Sequence, residues 1–375
     1  MEFLYLWGLF AVKFVTASAI VGFLVYAILL SLPAALKEVQ AEAKEKFTFE
    51  NLIKKYKDNQ EKLLDKLKDF DDTKDEKTKK KEAKALAKNA SKKEEQERKD
   101  RADKIKKLEE SGTFCPENTY VIDFAGDTNA SDQDDLIAKV NLILSVATDK
   151  DEVIVNLDSP GGVVNGYGLC SATLERIRQK NIHLTVCVDN VAASGGYLMA
   201  CVASKIVAAP FSYIGSIGVV AQIPNFNKVL KKHDVDYEQV TAGKYKRTLT
   251  MFGENTQEGR EKFKQELTLI HDRFKEIVSK YRPSMDIDNI ATGEFWLAKD
   301  ALERGLIDEI APFDSYLQST LEKTKVCAIK IDIKKQEQKG LLAVLKKFLS
   351  AKAWTKAFKE EMLDASNRDD KNLHF

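Results

Sequence analysis

The sequence predicts an α/β domain that follows an apolar segment and a charged segment. Runs of β-branched residues such as 153–157 alternate with segments of helix length, which is the pattern of a sheet covered by helices. Residues 14–36 contain no charged side chain, over a length that meets the about 20 residues needed to cross a bilayer. Residues 51–110 are dominated by Lys, Glu, Asp and Ala, with too few apolar residues for a core.

Residues 1–36 predict a permanent single-pass membrane anchor. A cleaved signal peptide is the alternative, with Val39-Gln-Ala41 as a weak cleavage site, although such a peptide has a shorter apolar core. Lys37, Lys44 and Lys46 closely follow the apolar span. The positive-inside rule therefore favours a cytoplasmic position for the remainder of the chain.

Residues 37–115 predict a lysine-rich spacer, helical or disordered, that holds the domain away from the bilayer. Nucleic-acid binding is the alternative function for this segment. Interleaved acidic residues and the lack of an aromatic residue between Phe70 and residue 110 argue against it. The formal net charge of the whole chain is only +1, so electrostatics give no further support for a nucleic-acid partner.

Residues 116–330 predict the folded domain, because β-branched runs and apolar residues at helical spacing alternate there. The predicted strands are 120–124, 153–157, 182–188, 205–210, 218–222, 237–240 and 306–308. The predicted helices are 131–147, 163–179, 257–281 and 298–305, with a further helix-length apolar segment after Ser194. The five cysteines include no CxxC pair and the four histidines are scattered, so the pattern predicts no metal and no other cofactor.

The turn around Ser194 is the strongest candidate site. It follows the strand predicted at 182–188 and leads into the apolar helical segment. Gly195 and Gly196 carry no Cβ, so the backbone can approach a substrate closely. The first N–H groups of a helix lack internal partners, and the helix dipole favours negative charge at that end. An anion formed beside Ser194 would be stabilised, as acyl transfer requires; a tightly packed structural turn is the alternative.

A second glycine turn, Asp158-Ser-Pro-Gly-Gly162, follows the strand predicted at 153–157. Pro160 makes this turn rigid, and the two glycines leave its backbone accessible. Both turns lie at the same edge of the predicted sheet. Their N–H groups can therefore converge on one point, which is the arrangement of an oxyanion hole.

Four motifs occur in order: DSPGG at 158–162, VAASGGY at 191–197, PFSYIGSIGVV at 210–220 and TAGKYKR at 241–247. Together they resemble the signal peptide peptidase A family of membrane-bound serine proteases, and most closely its short bacterial members. The resemblance covers roughly residues 118–312. It implies the ββα-repeat fold shared by ClpP and crotonase. It also implies a domain outside the inner membrane, which disagrees with the positive-inside rule, and the periplasmic side is slightly preferred.

A serine nucleophile needs a group that accepts its proton. His233 is the nearest histidine after Ser194, but it follows a lysine-rich segment that resembles a solvated helix face. The resemblance instead implies Lys246 as general base, with Lys244 as the close competitor. Because an ordinary lysine has a pKa near ~10.4, burial must lower that pKa for the amine to accept a proton. The resemblance also implies an oxyanion hole from Gly162 and Gly195, and Ser216 as the residue that orients the lysine.

The resemblance further implies a homo-oligomeric ring in which neighbouring subunits complete each active site. It implies peptide substrates, such as signal-peptide remnants or misfolded envelope proteins. Two alternatives stay open: a crotonase-like acyl-CoA enzyme, and a non-catalytic membrane scaffold with a protease-like ring. Residues 331–375 predict a basic amphipathic tail that lies on an anionic membrane or packs on its own oligomer.

Overall fold

The computed structural model describes residues 46–69 and 95–334. The predicted anchor at 1–36 and almost all of the predicted tail at 331–375 lie outside the described residues. Residues 48–332 form one compact unit, which is described below. Among the described residues, no helix combines the length and the apolar character needed to cross a membrane.

A seven-stranded sheet forms the centre of the fold, in the strand order β1-β10-β2-β3-β4-β6-β9. Every pairing from β10 to β9 is parallel. The strands of this sheet are β1 (Lys46–Asn51), β2 (Asn118–Ala125), β3 (Glu152–Asp158), β4 (His183–Val188), β6 (Lys205–Ala208), β9 (Glu309–Ile310) and β10 (Cys327–Lys334). The predicted α/β class is therefore confirmed.

The middle strands are buried on both faces. Val153, Ile154 and Val155 are all inaccessible to solvent, so side chains on both sides of β3 pack in the core. Continuous apolar strands of this kind are typical of a parallel sheet with helices on each face. The helices are α1 (Leu52–Asp69), α2 (residues 95–110), α3 (Gln133–Leu144), α4 (Val164–Gln179), α5 (Gly195–Cys201), α6 (Asn227–Lys232), α7 (Gln257–Tyr281), α8 (Ile287–Ile290), α9 (Ala298–Glu303) and α10 (Phe313–Lys323).

A second sheet of three short strands adjoins the carboxyl ends of the main strands. It consists of β5 (Val191–Ala193), β7 (Tyr213–Gly215) and β8 (Phe295–Leu297), in that order. β5 and β7 are parallel, whereas β7 and β8 are antiparallel. Because Ala193 lies opposite Gly215, the residues that follow these two strands emerge side by side.

Parts of the predicted spacer pack on the sheet. β1 forms one edge of the main sheet, and Leu52 is buried with Val121, Ile154 and neighbouring core residues. The Arg101 guanidinium donates hydrogen bonds to carbonyl oxygens at the end of α10 and just beyond it, those of Leu321 and Thr324. β1, the start of α1 and parts of α2 therefore lie against the domain, whereas residues 57–67 are exposed.

The strands predicted at 218–222 and 237–240 are wrong, because neither segment forms a strand. Both contain β-branched or aromatic residues, which are typical of strands, but neither pairs with another strand among the described residues. Val220 is 81% exposed and Val240 is 95% exposed, so these apolar side chains are not buried by the chain itself. Of the residues from 217 to 256, only those of α6 are helical.

Candidate active site

Ser194 occupies a strained turn between β5 and α5. Its φ of 51° and ψ of −119° lie where residues with a side chain are rarely found. Such a conformation persists only when the surrounding structure enforces it. The Ser194 N–H donates to the carbonyl oxygen of Gly215 at 2.8 Å, and the Leu198 N–H donates to the Ser194 carbonyl oxygen at 2.9 Å. The half-buried serine is thus held from both sides by the backbone.

The two glycine turns lie against each other. The Ser159 N–H donates to the Val191 carbonyl oxygen at 2.8 Å, and the Ala193 N–H donates to the Ser159 carbonyl oxygen at 3.1 Å. A Cβ placed on Gly161 would lie 2.6 Å from the Gly195 nitrogen and 2.9 Å from the Ser194 Cβ. Gly161 also has a φ of +83°, so this position requires glycine for its conformation and for its close contact.

Two backbone N–H groups remain available beside Ser194. Within the described residues, neither the Gly162 N–H nor the Gly195 N–H has a hydrogen-bond partner. The neighbouring amides are engaged: the Gly161 N–H donates to Ser159 Oγ at 3.2 Å, and the Val163 N–H donates to the Thr128 carbonyl oxygen at 2.9 Å. Paired amide donors of this kind can stabilise an oxyanion.

Ser216 lies next to the Ser194 turn, because the two serines follow the paired strands β5 and β7. Its φ of 51° is again positive, and its N–H donates to the Glu294 carbonyl oxygen at 2.6 Å. The Ser216 side chain is half-buried. The turn that carries Ser216 is therefore fixed at a position from which its hydroxyl can face a group approaching Ser194.

Lys246 lies in an exposed loop, with its backbone N–H donating to the Gly243 carbonyl oxygen at 3.1 Å. Its side chain lines a cleft of about 860 Å³ together with Tyr237 and Val240. Ser194 is not among the residues that line this cleft. Among the described residues, neither a hydrogen bond nor a shared cleft joins Lys246 to Ser194.

The competing amine, Lys244, forms an ion pair with Glu258 at 2.6 Å. The hydrogen bond and the charge of Glu258 raise the pKa of the exposed Lys244 ammonium above its usual value. A raised pKa keeps this amine protonated at neutral pH, and a protonated amine cannot accept the proton of a serine. Lys244 is therefore a poor candidate for the base while it is paired with Glu258.

Cys201 is also close to the serine turn in sequence, but it is buried in α5. Burial raises the pKa of the Cys201 thiol to about 12, so the thiol stays protonated and is a poor nucleophile at neutral pH. Within the described residues, no group of three or more His, Cys, Asp or Glu side chains could hold a metal ion.

Sequence reasoning missed the residues that support the glycine turns. Tyr167, on α4, packs its ring against Gly195, while its hydroxyl bonds to Ser159. The Thr128 carbonyl oxygen holds the Val163 N–H behind the Gly162 turn. Gly166 precedes Tyr167 in the sequence and is a signal of close backbone packing, because a Cβ there would lie 2.8 Å from the Ala130 Cβ.

Comparison with known proteins adds the family. The model of Peptidase family S49 matches residues 176–327, and the model of Peptidase family S49 N-terminal matches residues 2–174. The chain belongs to peptidase family S49. The matched ranges include all four motifs around the Ser194 and Lys246 turns.

Relatives of this S49 chain include two proteins named "Probable protease SohB". The protein from Haemophilus influenzae is 51% identical over 228 residues, covering 61% of this chain and 64% of its own length. The protein from Buchnera aphidicola subsp. Schlechtendalia chinensis is 57% identical over 200 residues, covering 53% and 66% of the two chains. The matches thus span slightly less than two thirds of these relatives, and they confirm the predicted similarity to the short members of the family.

A solved structure named "ClpP1 N165D mutant from Listeria monocytogenes" also resembles the S49 chain. It is 14% identical, with a TM-score of 0.36, and the match covers 52% of this chain and 94% of the other. A score at this level carries no argument about the finer fold. The ClpP/crotonase-like repeat therefore stays a prediction, whereas the α/β sheet is observed directly.

Proposed function

We propose that this S49 chain is a serine endopeptidase that cleaves peptide bonds with Ser194 and Lys246. The observation that carries the proposal is the strained Ser194 turn, packed against a second glycine turn, with two amide donors that have no partner among the described residues. A packing turn has no need of a serine with positive φ. Membership of a peptidase family and two relatives named as probable proteases support the same reaction class.

The proposed reaction begins when Ser194 Oγ attacks the carbonyl carbon of a peptide bond and gives its proton to the neutral Lys246 amine. The Gly162 and Gly195 N–H groups stabilise the oxyanion of the tetrahedral intermediate. Lys246 then protonates the departing amine, and an acyl-enzyme on Ser194 remains. A water molecule, deprotonated by Lys246, attacks the ester and releases the second product. Ser216 orients the lysine side chain.

We further propose that Lys246 reaches Ser194 from a neighbouring subunit in a ring of identical chains. Residues 217–256, here named the lysine arm, carry Lys246 and many exposed apolar side chains. These exposed side chains are Val220, Ile223, Phe226, Val229, Val235, Tyr237, Val240, Tyr245, Met251 and Phe252. An apolar surface of this extent favours contact with another protein. Burial in such a contact would also lower the pKa of the lysine, as a general base requires.

The proposed location is the inner membrane of a bacterium, with residues 1–36 as a single-pass anchor and the catalytic domain on the periplasmic side. The length of the uncharged segment at residues 14–36 supports the anchor. The proposed substrates are unfolded or membrane-derived peptides, as the resemblance to the signal peptide peptidase A family implies. The ClpP/crotonase-like repeat is the fold that we propose for the catalytic domain.

The test compares Ser194→Ala, Lys246→Met and Lys244→Met in the full chain, purified in detergent. Cleavage of a labelled unfolded protein should fall by about 10³-fold or more in the first two variants, because each removes a member of the nucleophile–base pair. Lys244→Met is the matched control and should retain cleavage. A fluorophosphonate should label the unmodified chain but not Ser194→Ala. Full cleavage by Ser194→Ala would end the proposal and would leave the scaffold alternative.

A further inference from the structure

A line of hydrogen bonds runs beneath the glycine turn at 158–162, and its direction is determined by the atoms involved. Tyr167 Oη lies 2.7 Å from the Asp127 carbonyl oxygen, which can only accept, so the tyrosine donates its single proton there. Ser159 Oγ lies 2.7 Å from Tyr167 Oη and must therefore donate to it. The Gly161 N–H donates to Ser159 Oγ at 3.2 Å, which completes the line.

The acceptor at the end of this line is itself fixed. The Asp127 carboxylate accepts hydrogen bonds from the backbone N–H groups of Asn129 and Ser131 and from Ser131 Oγ, at 2.8–3.1 Å. These bonds hold the loop that follows β2. The Asp127 carbonyl oxygen therefore has a defined position, and the tyrosine hydroxyl that donates to it is defined in turn.

Tyr167 touches both sides of the proposed oxyanion hole. A Cβ on Gly195 would lie 2.4 Å from Tyr167 Cγ, so the ring packs directly against the Gly195 backbone. Through Ser159, the hydroxyl of the same side chain holds the Gly161 N–H away from the site. The next amide, the Gly162 N–H, has no partner in the described part of the chain. One fully buried side chain therefore contacts each turn that carries a donor.

The chemistry of Tyr167 suits this task at the pH of a cell. Burial raises the pKa of the Tyr167 hydroxyl above its usual value, so the proton that bonds to Asp127 stays in place at neutral and moderately alkaline pH. A serine or threonine at this position could not fill the space beneath Gly195. A phenylalanine could fill that space but could not bond to Ser159 or Asp127.

We propose that Tyr167 is a positioning residue that aligns the Gly162 and Gly195 amides, with its ring beneath Gly195 and its hydroxyl bonded to Ser159 beneath Gly161. This role rests on the proposed function, because it concerns the same oxyanion hole. Tyr167 does not touch the substrate, and it acts only through the two turns.

The first test is Tyr167→Phe in the full chain, which keeps the ring and removes the hydroxyl. The kcat for a fluorogenic peptide should fall about tenfold, less than the ~10²–10³ that follows removal of a whole donor, because both amides remain but lose alignment. The KM should stay unchanged when the chemical step limits turnover. The Ki of a peptide aldehyde should rise by the same factor as kcat falls, because its adduct with Ser194 places an oxyanion in the hole.

Tyr316→Phe is the matched control. Tyr316 is also buried, and its hydroxyl donates to Glu152 Oε1 at 2.9 Å, at the opposite end of β3 from the glycine turn. Both substitutions remove one buried hydroxyl, so they should lower the melting temperature by similar amounts. Only Tyr167→Phe should change kcat and the aldehyde Ki.

Ser159→Ala supplies a second variant that breaks the same line of hydrogen bonds. Because the two side chains act in series, the double variant Ser159→Ala with Tyr167→Phe should lose no more activity than the more impaired single variant. If Tyr167→Phe does not fold, Ser159→Ala tests the positioning role instead, by its kcat, its KM and its Ki for the peptide aldehyde.

Three results would overturn the positioning role: the same kcat for Tyr167→Phe and Tyr316→Phe, an unchanged aldehyde Ki, or full additivity in the double variant. Failure of the proposed function would look different. The unmodified chain would then show no cleavage that depends on Ser194, and the aldehyde would not bind to it.

Discussion

The serine turn and the lysine arm are built in opposite ways. Around Ser194, short backbone hydrogen bonds and buried glycine contacts hold the backbone of the turn. The lysine arm, residues 217–256, contains one helix of six residues and exposes most of its apolar side chains. The contrast suggests that one subunit completes the nucleophile and the oxyanion hole. It also suggests that the lysine needs a second surface before it can be buried.

Among the substitutions that test this contrast, Gly161→Ala is expected to have the largest effect. The added methyl group would lie 2.6 Å from both the Ala193 carbonyl oxygen and the Gly195 nitrogen, at a φ of +83°. We expect kcat to fall by about 10²–10³, as for loss of an oxyanion donor, with a loss of ~1–3 kcal/mol in the free energy of unfolding. Peptide cleavage and denaturant titration measure the two quantities.

Gly168→Ala is the control for that substitution. No atom lies within 4 Å of the methyl group that it would add, and Gly168 lies inside α4. The change should stabilise the chain by ~0.5–1 kcal/mol, because alanine favours a helix interior, and kcat should not change. Unimpaired cleavage by Gly161→Ala would show that the two turns need not be in contact.

An intermediate effect is expected in the lysine arm for Val240→Asp. Val240 is 95% exposed in the single chain, so the substitution should leave the free energy of unfolding of one subunit nearly unchanged. In an assembled ring, it would place an unpaired charge at the contact between subunits. We expect a smaller mass by light scattering at a fixed concentration, together with a loss of activity of about tenfold, or 1.4 kcal/mol.

Val326→Asp provides the comparison for the arm, because Val326 is also exposed but lies outside residues 217–256. The mass of the Val326→Asp assembly by light scattering, and its peptide-cleaving activity, should equal those of the unmodified chain. If both substitutions leave the mass unchanged, the lysine arm is not a contact between subunits.

The smallest effect concerns the helix that joins the arm to the rest of the domain. Lys280 and Tyr281, at the end of α7, donate hydrogen bonds to Glu175 on α4. The bond from Lys280, followed by that from Tyr281, lowers the pKa of Glu175. A lowered pKa in the folded state stabilises the fold above the unfolded value of ~4.3. That stabilisation is lost as the pH falls through the folded value.

Glu175→Gln should therefore cost about 0.5 kcal/mol of unfolding free energy at pH 7, a small value because solvent screens the pair with Lys280. The difference from the unmodified chain should shrink as the pH falls below the unfolded value of ~4.3. Glu276→Gln removes an exposed pair with Arg273 and should change the free energy of unfolding by less. An unchanged difference between pH 7 and pH 3 would contradict the assigned cause.

The same contrast explains what the sequence could predict. The serine turn could be predicted because its signals are local. A β-branched run, a serine, two glycines and an apolar helix follow one another along the chain. The contact between the two glycine turns followed from their shared place at the end of parallel strands. The role of Tyr167 could not be predicted from the sequence, because it depends on the packing of α4 beneath α5, which no local pattern encodes.

The lysine arm shows the opposite outcome. The segments at 218–222 and 237–240 predicted strands, yet a strand needs a partner, and neither segment has one within the described ranges. The packing of β1 and of Leu52 on the domain was also missed, because a lysine-rich composition suggested a solvated segment. For β1 and Leu52, the deciding contact lies far away in the sequence.

The measurement that tests the account most directly is the recovery of activity on mixing two inactive variants. Ser194→Ala keeps the lysine and Lys246→Met keeps the serine, so a ring that contains both can form intact sites only between subunits. If Lys246 acts on a neighbour, equal amounts should restore cleavage at about a quarter of the sites by random mixing in a closed ring. If mixed assemblies form and show no activity, Lys246 does not act across subunits and the central claim is contradicted.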